Sequence, residues 1–281
     1  MVSFFLRLAE KNIAVRVNFQ STLDFCREYL TDDTDPDAEL EITLGDIASE
    51  RIKAAREREL EGLPPYDFSA QYLETLALYR KIASALIDFD TFLFHGSALS
   101  MDGRAYIFTA KSGTGKSTHA AIWRRVFGER VVMINDDKPL IKIKDGAAYV
   151  YGTPWCGKHG LGTNASAPLS SIAIIERAEH NSISPCPPSQ AIVQLYNQAY
   201  RIPDKDKLSR TLAILDKLRS TVGVYVLKCN MDDTAAEVAY ATMKGSPEVS
   251  SATMKGNPEL TCATMKGSHE VASATMKGNG K

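Results

Sequence analysis

No run of apolar residues in this chain is long enough to cross a membrane. The short apolar patch over residues 1–8 is cut by Arg7, Glu10 and Lys11, too soon for a signal sequence. Cysteine is sparse: Cys26, Cys156, Cys186, Cys229 and Cys262 are scattered, odd in number and form no C-x-x-C pair. That argues against a disulfide framework or a zinc ribbon and suits a reducing, cytoplasmic setting. Net charge is also nearly absent, 33 Lys and Arg against 34 Asp and Glu, so no basic field points to nucleic acid. The remainder, 281 residues with 44% hydrophobic and 24% charged, has the composition of an ordinary globular protein of one large or two modest domains.

The residues the chain is organised around run from Tyr106 to Thr118. Tyr106-Ile107-Phe108-Thr109 are good strand formers. They lead into Ala110-Lys111-Ser112-Gly113-Thr114-Gly115-Lys116-Ser117-Thr118, and a helix-forming stretch follows from His119. Strand, glycine-broken loop and helix in this order make a phosphate-binding loop. Its backbone N–H groups and the helix N-terminus favour a chain of phosphates. Gly113 and Gly115 permit an approach that a Cβ would block. Lys116 can reach the β- and γ-phosphates, and the Ser117 hydroxyl can ligate Mg²⁺. Ala110 stands where the motif has its first glycine, a small departure in size.

Around this loop the pattern predicts a small accessory domain over residues 1–68, a nucleotide domain over 69–243 and a tail over 244–281. In the first, 13–17 and 39–44 alternate like half-buried strands, 21–30 reads as a helix capped by Ser21, and 47–60 as a solvated helix or connector. Pro64-Pro65 breaks the chain. Residues 69–89 then form an amphipathic helix with Tyr72 and Tyr79 among its core positions. Residues 92–99 read as one apolar strand, returned by an Asp102-Gly103 turn into the strand that feeds the loop, so His95 is expected on the strand paired with it. The loop helix spans 117–126, with Gly128 after it.

Residues 131–135 read as a strand buried on both faces, ending in Asp136-Asp137. Ligands in open α/β sheets bind at the carboxyl ends of strands, which puts both acids on the rim of the phosphate loop. A second hairpin turns at Asp145-Gly146. It leads into the glycine-rich stretch 151–164, a lid or substrate clamp holding Trp155, Lys158 and His159, with Cys156 read as structural. Lys158 could neutralise phosphate charge in the transition state. A strand over 171–175, a loop over 180–188, and helices over 189–200 and 204–219 follow, the second with Leu208, Leu212, Leu215 and Leu218 on one stripe. A strand over 222–227 and a helix over 232–243, capped by Asp232 or Asp233, complete the domain. In the tail, Ala-Thr-Met-Lys-Gly recurs every eleven residues from Ala241, with glycine in each copy and few apolar residues; its composition predicts disorder.

His95-Gly96, the loop Ser112-Gly113-Thr114-Gly115-Lys116-Ser117 and the pair Asp136-Asp137, in this order, resemble the catalytic domain of the HPr serine kinase/phosphorylase family, whose fold is shared with phosphoenolpyruvate carboxykinase. The chain looks most like HPr-kinase-like proteins with G-T-P-W-C-G-K after the paired acids, here Gly152 to Lys158. The match is strong over 92–176 and looser over 69–243. Some relatives sit beside peptide-modification genes, and some phosphorylate a peptide serine. Gly157 to Asn164 only approximates the arginine- and glycine-rich stretch of the true HPr kinase, which argues for an acceptor other than HPr. Carboxykinases are much longer and carry further metal and oxaloacetate ligands, which argues against that activity.

The resemblance implies an α/β fold, a mixed sheet of the P-loop HPr-kinase/carboxykinase type with flanking helices. It implies phosphoryl transfer from Mg²⁺-ATP to a hydroxyl, most simply a serine of a peptide or protein. Lys116 and the loop amides of Ser112 to Thr118 would hold the phosphates, Ser117 and Asp137 the Mg²⁺. Asp136 would act as base, His95 would orient or polarise the acceptor or a carboxylate, and Trp155 and Lys158 would form the mobile side. A non-catalytic nucleotide sensor and a small-molecule kinase are the alternatives. Neither membrane nor nucleic acid is an expected partner, and oligomeric state is left open.

Overall fold

The computed structural model describes residues 1–111, 113–157 and 159–245. The expectations for Ser112, Lys158 and the tail beyond Gly245 fall outside them.

The chain opens on a hairpin of β1 (Val2–Leu8) and β2 (Lys11–Val17), where the sequence suggested a single strand. Its turn residues Ala9 and Glu10 both adopt left-handed φ, 48° and 65°, without a glycine to signal it. Glu10 is tied down instead. Its carboxylate lies 3.0 Å from Lys142 Nζ and 3.1 Å from Lys144 Nζ and accepts from the Tyr151 hydroxyl at 3.0 Å. Burial pushes the Glu10 carboxyl up, but these bonds outweigh it and bring it down to about 2.

Next comes α1 (Gln20–Phe25). Ser21 does not cap it: the N-cap position is Phe19, and no side chain of the helix's own start supplies the bond. A fully buried carboxylate, Glu74, instead fixes the chain entering the helix from a distance. It accepts from Asn18 N at 2.6 Å, Asn18 Nδ2 at 2.8 Å, Phe19 N at 3.1 Å and Thr22 Oγ1 at 2.5 Å. After β3 (Ala38–Glu41), parallel to β2, come α2 (Leu44–Leu60), started by a Thr43–Asp46 capping box, and α3 (Ala70–Leu86), started by Ser69. α3 is the central member of one apolar cluster. Its Leu73, Leu78 and Ile82 pack with Leu6, Ile13 and Val15 of the small sheet and with Leu140, Tyr151 and Trp155 from later in the chain. Tyr79 joins this core, whereas Tyr72 is 47% exposed, contrary to its expected burial.

The large sheet comes after α3. Its strands are β4 (Thr91–Leu93), β5 (Ser97–Met101) and β6 (Arg104–Thr109), then, after α4 (Lys116–Phe127), β7 (Val131–Asn135), β8 (Leu140–Lys144), β9 (Ala147–Tyr151) and β10 (Ser166–Arg177). The last part contains β11 (Ser182–Pro185), α5 (Pro188–Gln198), α6 (Lys205–Thr221), β12 (Gly223–Cys229) and α7 (Thr234–Met243). Nine strands form one mixed sheet in the order β4-β8-β9-β10-β6-β5-β7, with β12 also on β10 and β11 on β12. Helices flank it, so the α/β class with a mixed sheet is observed. β10 makes this possible: Ser166–Pro168 pairs antiparallel with β9, and beyond an irregularity at Leu169/Ser171 the strand runs parallel to both β6 and β12.

Several local expectations change. The strand expected over 92–99 is two strands, β4 and β5, with Phe94-His95-Gly96 between them. β7 lies last in the sheet order beyond β5 rather than buried on both faces, and Val132 is 40% exposed. The loop expected over 180–188 contains β11, paired antiparallel with β12. On α6 the buried stripe is Thr211, Ile214, Leu215 and Leu218, while Leu212 is 42% exposed. Asp233 is the N-cap of α7 but pairs with Arg125 instead of capping with its side chain. Among the described residues no helix is long and apolar enough to cross a membrane.

Glu74→Ala leaves four buried or half-buried donors without their acceptor. We expect a loss of about 3 kcal/mol in urea unfolding, with the first helix fraying before the rest. Glu10→Gln is milder, about 1 kcal/mol or less, because the carboxylate is partly solvated. A depressed carboxyl contributes stability above its unfolded range and loses it in acid. The difference between wild type and Glu10→Gln should therefore be complete above pH 4.5 and fade as pH falls toward 2.

Candidate phosphate-binding cleft

β6 delivers the chain into the loop, and α4 leaves it. Gly113 and Gly115 take φ of 76° and 131°, which an L side chain resists, so both glycines are required by the backbone. Ala110 is 3% exposed and its methyl packs in the cluster that holds Phe108 and Ala173, so the loop closes without the motif's first glycine. Thr114 N donates to Lys111 O at 3.1 Å, a tight turn at the loop's apex. Lys116 folds back on the loop, its Nζ 3.3 Å from Ala110 O. Burial lowers its pKa, and the Asp137 charge opposes that shift. Ser117 and Thr118 are exposed on the cleft wall.

The opposite wall is the end of β7. β5 separates β6 from β7 and is antiparallel to both, so β6 and β7 run the same way and end on one rim. Fully buried Asn135 shapes the turn beyond this strand. Its Oδ1 accepts from Asp137 N at 2.9 Å and Lys138 N at 2.6 Å, and its Nδ2 donates to Thr153 O at 3.1 Å and Thr153 Oγ1 at 3.0 Å. The two acids then meet different surroundings. Asp136 is 4% exposed; Oδ1 accepts from Gly157 N, while Oδ2 is buried without a partner. Burial raises its carboxyl above the usual range, against the Gly157 bond. Asp137 has Oδ1 3.2 Å from His95 Nε2 and Oδ2 2.8 Å from Lys138 Nζ. Burial pushes it up as well, but His95 and Lys138 prevail and hold it at about 2.

His95 reaches Asp137 because it is not in a strand. Between β4 and β5, His95 N donates to Gln198 O at 2.8 Å, Gly96 N to Asp137 O at 3.1 Å, and Thr109 Oγ1 to His95 O at 2.8 Å. A Cβ on Gly96 would sit 2.8 Å from Ile107 Cγ2, so only glycine lets this crossing lie against β6. The sequence placed His95 correctly beside the loop strand but gave it the wrong local backbone.

The stretch after β9 crosses the cleft. Trp155, expected on the mobile side, is an anchor: 7% exposed, it donates from Nε1 to Thr75 O at 3.0 Å and packs 5.7 Å from Tyr79 and 5.8 Å from Phe25. The apolar area of an indole outweighs the freedom of a glycine-rich loop. The loop returns through Thr163, whose N and Oγ1 donate to Ile134 O at 3.2 Å and Met133 O at 2.9 Å. Burial pushes the Cys156 thiol up to about 12, which keeps it protonated and inert as a nucleophile.

The result is an open cleft of about 1030 Å³. Gly113, Gly115, Lys116, Ser117 and Thr118 line one side; His95, Asp136, Asp137 and Gly157 line the other, and His159 is at the margin. Thr114 does not line the cleft, and its carbonyl accepts from Arg177. Asn135 and Arg177 were not singled out from sequence. An Asn directly before two acids at a strand end is an Asx-turn signal that could have marked the first; the second has no local signal.

Among the described residues no group of three or more His, Cys, Asp or Glu is arranged to hold a metal ion. The donors present, two carboxylates and the Ser117 hydroxyl on one cleft, suit the looser hold on Mg²⁺ in which substrate phosphates supply the other oxygens.

No family model matches the chain, and no curated protein does. Among solved structures it is similar to the Hpr(Ser) kinase/phosphatase from Coxiella burnetii, at 10% identity and a TM-score of 0.32, over 54% of this chain and 93% of that one. The structural agreement is low, and the chemistry of the cleft rests on its own residues.

Asn135→Ala removes the side-chain amide that joins the turn carrying the acidic pair to the crossing loop. We expect about 2 kcal/mol of destabilisation, and faster amide exchange over residues 153–163 than over the β8–β9 hairpin.

Proposed function

We propose that the cleft transfers a phosphoryl group from a nucleoside triphosphate, ATP in the simplest case, to a hydroxyl, in first place a serine of a peptide or protein. The observation that carries this reading is Asp136 Oδ2, a buried carboxylate oxygen with no partner, on the same cleft as a glycine-shaped loop and Lys116.

The loop amides and Lys116 bind the phosphates and neutralise charge as it moves to the leaving oxygen. Asp136 Oδ2 takes the acceptor's proton while the hydroxyl oxygen bonds to phosphorus and the bond to the leaving phosphate oxygen breaks. Burial raises its pKa, which makes it a better proton acceptor than an ordinary carboxylate. Asp137 stays ionised because His95 and Lys138 hold it so. Ser117 and Asp137 would hold Mg²⁺, which supplies further neutralisation of phosphate charge when bound. His95 fixes Asp137 and lines the same cleft, from which it would reach the acceptor.

The test uses γ-labelled ATP with Mg²⁺ and a panel of serine peptides, read by mass spectrometry. Lys116→Ala should lose nucleotide affinity. Asp136→Asn should keep it within a few-fold while turnover falls by about a hundredfold or more. In the wild type, kcat/KM should fall in acid, with a midpoint above the usual range of an aspartate, as Asp136 takes up its proton. Unchanged behaviour in Asp136→Asn, with ATP still bound, would leave a nucleotide sensor instead.

A further inference from the structure

A phosphate loop that turns its N–H groups inward must turn its carbonyls outward, and those carbonyls need donors of their own. Arg177 supplies them. Its Nε donates to Thr114 O at 3.0 Å and its NH2 group donates to Gly113 O, two successive carbonyls held by one planar fork. We propose that Arg177 is a positioning residue of the phosphate loop, holding its apex in the phosphate-accepting shape before any nucleotide arrives. The inference rests on the phosphate-binding reading of this loop, and it assigns a role to a residue the transfer chemistry itself does not use.

The fold dictates where Arg177 sits. It is the last residue of β10, which runs parallel to β6 with Ile174 opposite Thr109, so it extends past the end of β6 to the side of the loop. Its backbone is fixed from the other side: Arg177 is in register with Cys229 of β12, and Ala178 N donates to Cys229 O at 3.0 Å. A strand end held on both sides therefore presents the guanidinium to the glycine-bearing apex of the loop. Gly113 and Gly115 have more backbone freedom to lose than any other residue type. Restricting them in advance lowers what nucleotide binding must spend on ordering the loop. The side chain is exposed, as a merely solvated surface arginine would be. Such an arginine would show scattered or water-directed donors, not two bonds to consecutive carbonyls of one loop. A lysine could keep the charge but not the fork.

Two measurements on the full chain test this. The first needs no nucleotide: amide hydrogen exchange over the loop peptide, residues 111–117, in wild type, Arg177→Ala and Arg177→Lys. Exchange there should be about tenfold faster in Arg177→Ala, with the β5–β6 strands and the melting temperature unchanged. The second is titration with a fluorescent ATP analogue and with ADP. Both dissociation constants should rise about tenfold in Arg177→Ala while kcat at saturation stays within about threefold, and Arg177→Lys should lie nearer to Ala than to wild type. Equal loop exchange in all three proteins overturns the proposal. So does full recovery by lysine, which would make charge rather than the clamp responsible. If the wild type binds neither nucleotide but its loop still loosens on removal of Arg177, the clamp stands and the nucleotide reading fails.

Discussion

The site depends on one buried carboxamide. Asn135 ends the strand beyond β5, and both ends of its amide are committed: the oxygen to the backbone that carries Asp137 and Lys138, the nitrogen to Thr153 on the loop that crosses the cleft. An amide can accept and donate at once, which a carboxylate cannot. An aspartate here could turn the chain after the strand but would repel the carbonyl of Thr153. The acid pair and the crossing loop are therefore positioned by the same group, and Gly157 from that loop then closes on Asp136.

From this arrangement two adjacent aspartates acquire opposite properties. Asp136 lies under the loop with one oxygen unmatched and is pushed toward its neutral form. Asp137, one residue on, is held ionised by an imidazole and an ammonium. Under the proposed transfer, neighbouring carboxylates forced apart in this way would divide proton transfer from charge holding, a division two equivalent acids could not make. The imidazole arrives only because the chain leaves the sheet between β4 and β5, a detour that Gly96 allows.

The sequence revealed most clearly those features that depend on local backbone chemistry. The loop glycines, the Asp102-Gly103 and Asp145-Gly146 turns and the acids at a strand end all lie where their residue types require. What it concealed depends on partners distant in the chain. The Ala9-Glu10 turn has no glycine and is held by Lys142, Lys144 and Tyr151, more than a hundred residues away. The entry to the first helix is held by Glu74 rather than capped by Ser21. The stretch 92–99 is mostly apolar, and the break at His95 is fixed by distant contacts to Gln198, Asp137 and Thr109. Trp155 in a glycine-rich loop suggested motion, whereas its burial against α3 makes it the loop's fixed point.

That fixed point bears on how far the chain can be divided. Trp155 sits in the same apolar cluster as Leu6, Ile13 and Val15 of the small sheet and the inner face of α3. The residues that carry the recognisable motifs begin only after this scaffold, yet the loop that closes on Asp136 is seated in it. The opening segment is thus part of the architecture of the cleft rather than an appendage. A fragment starting at the motif-bearing strands would keep every motif and lose the socket that aligns two of them. Evolutionary exchange of the first segment would be constrained by the shape of one indole.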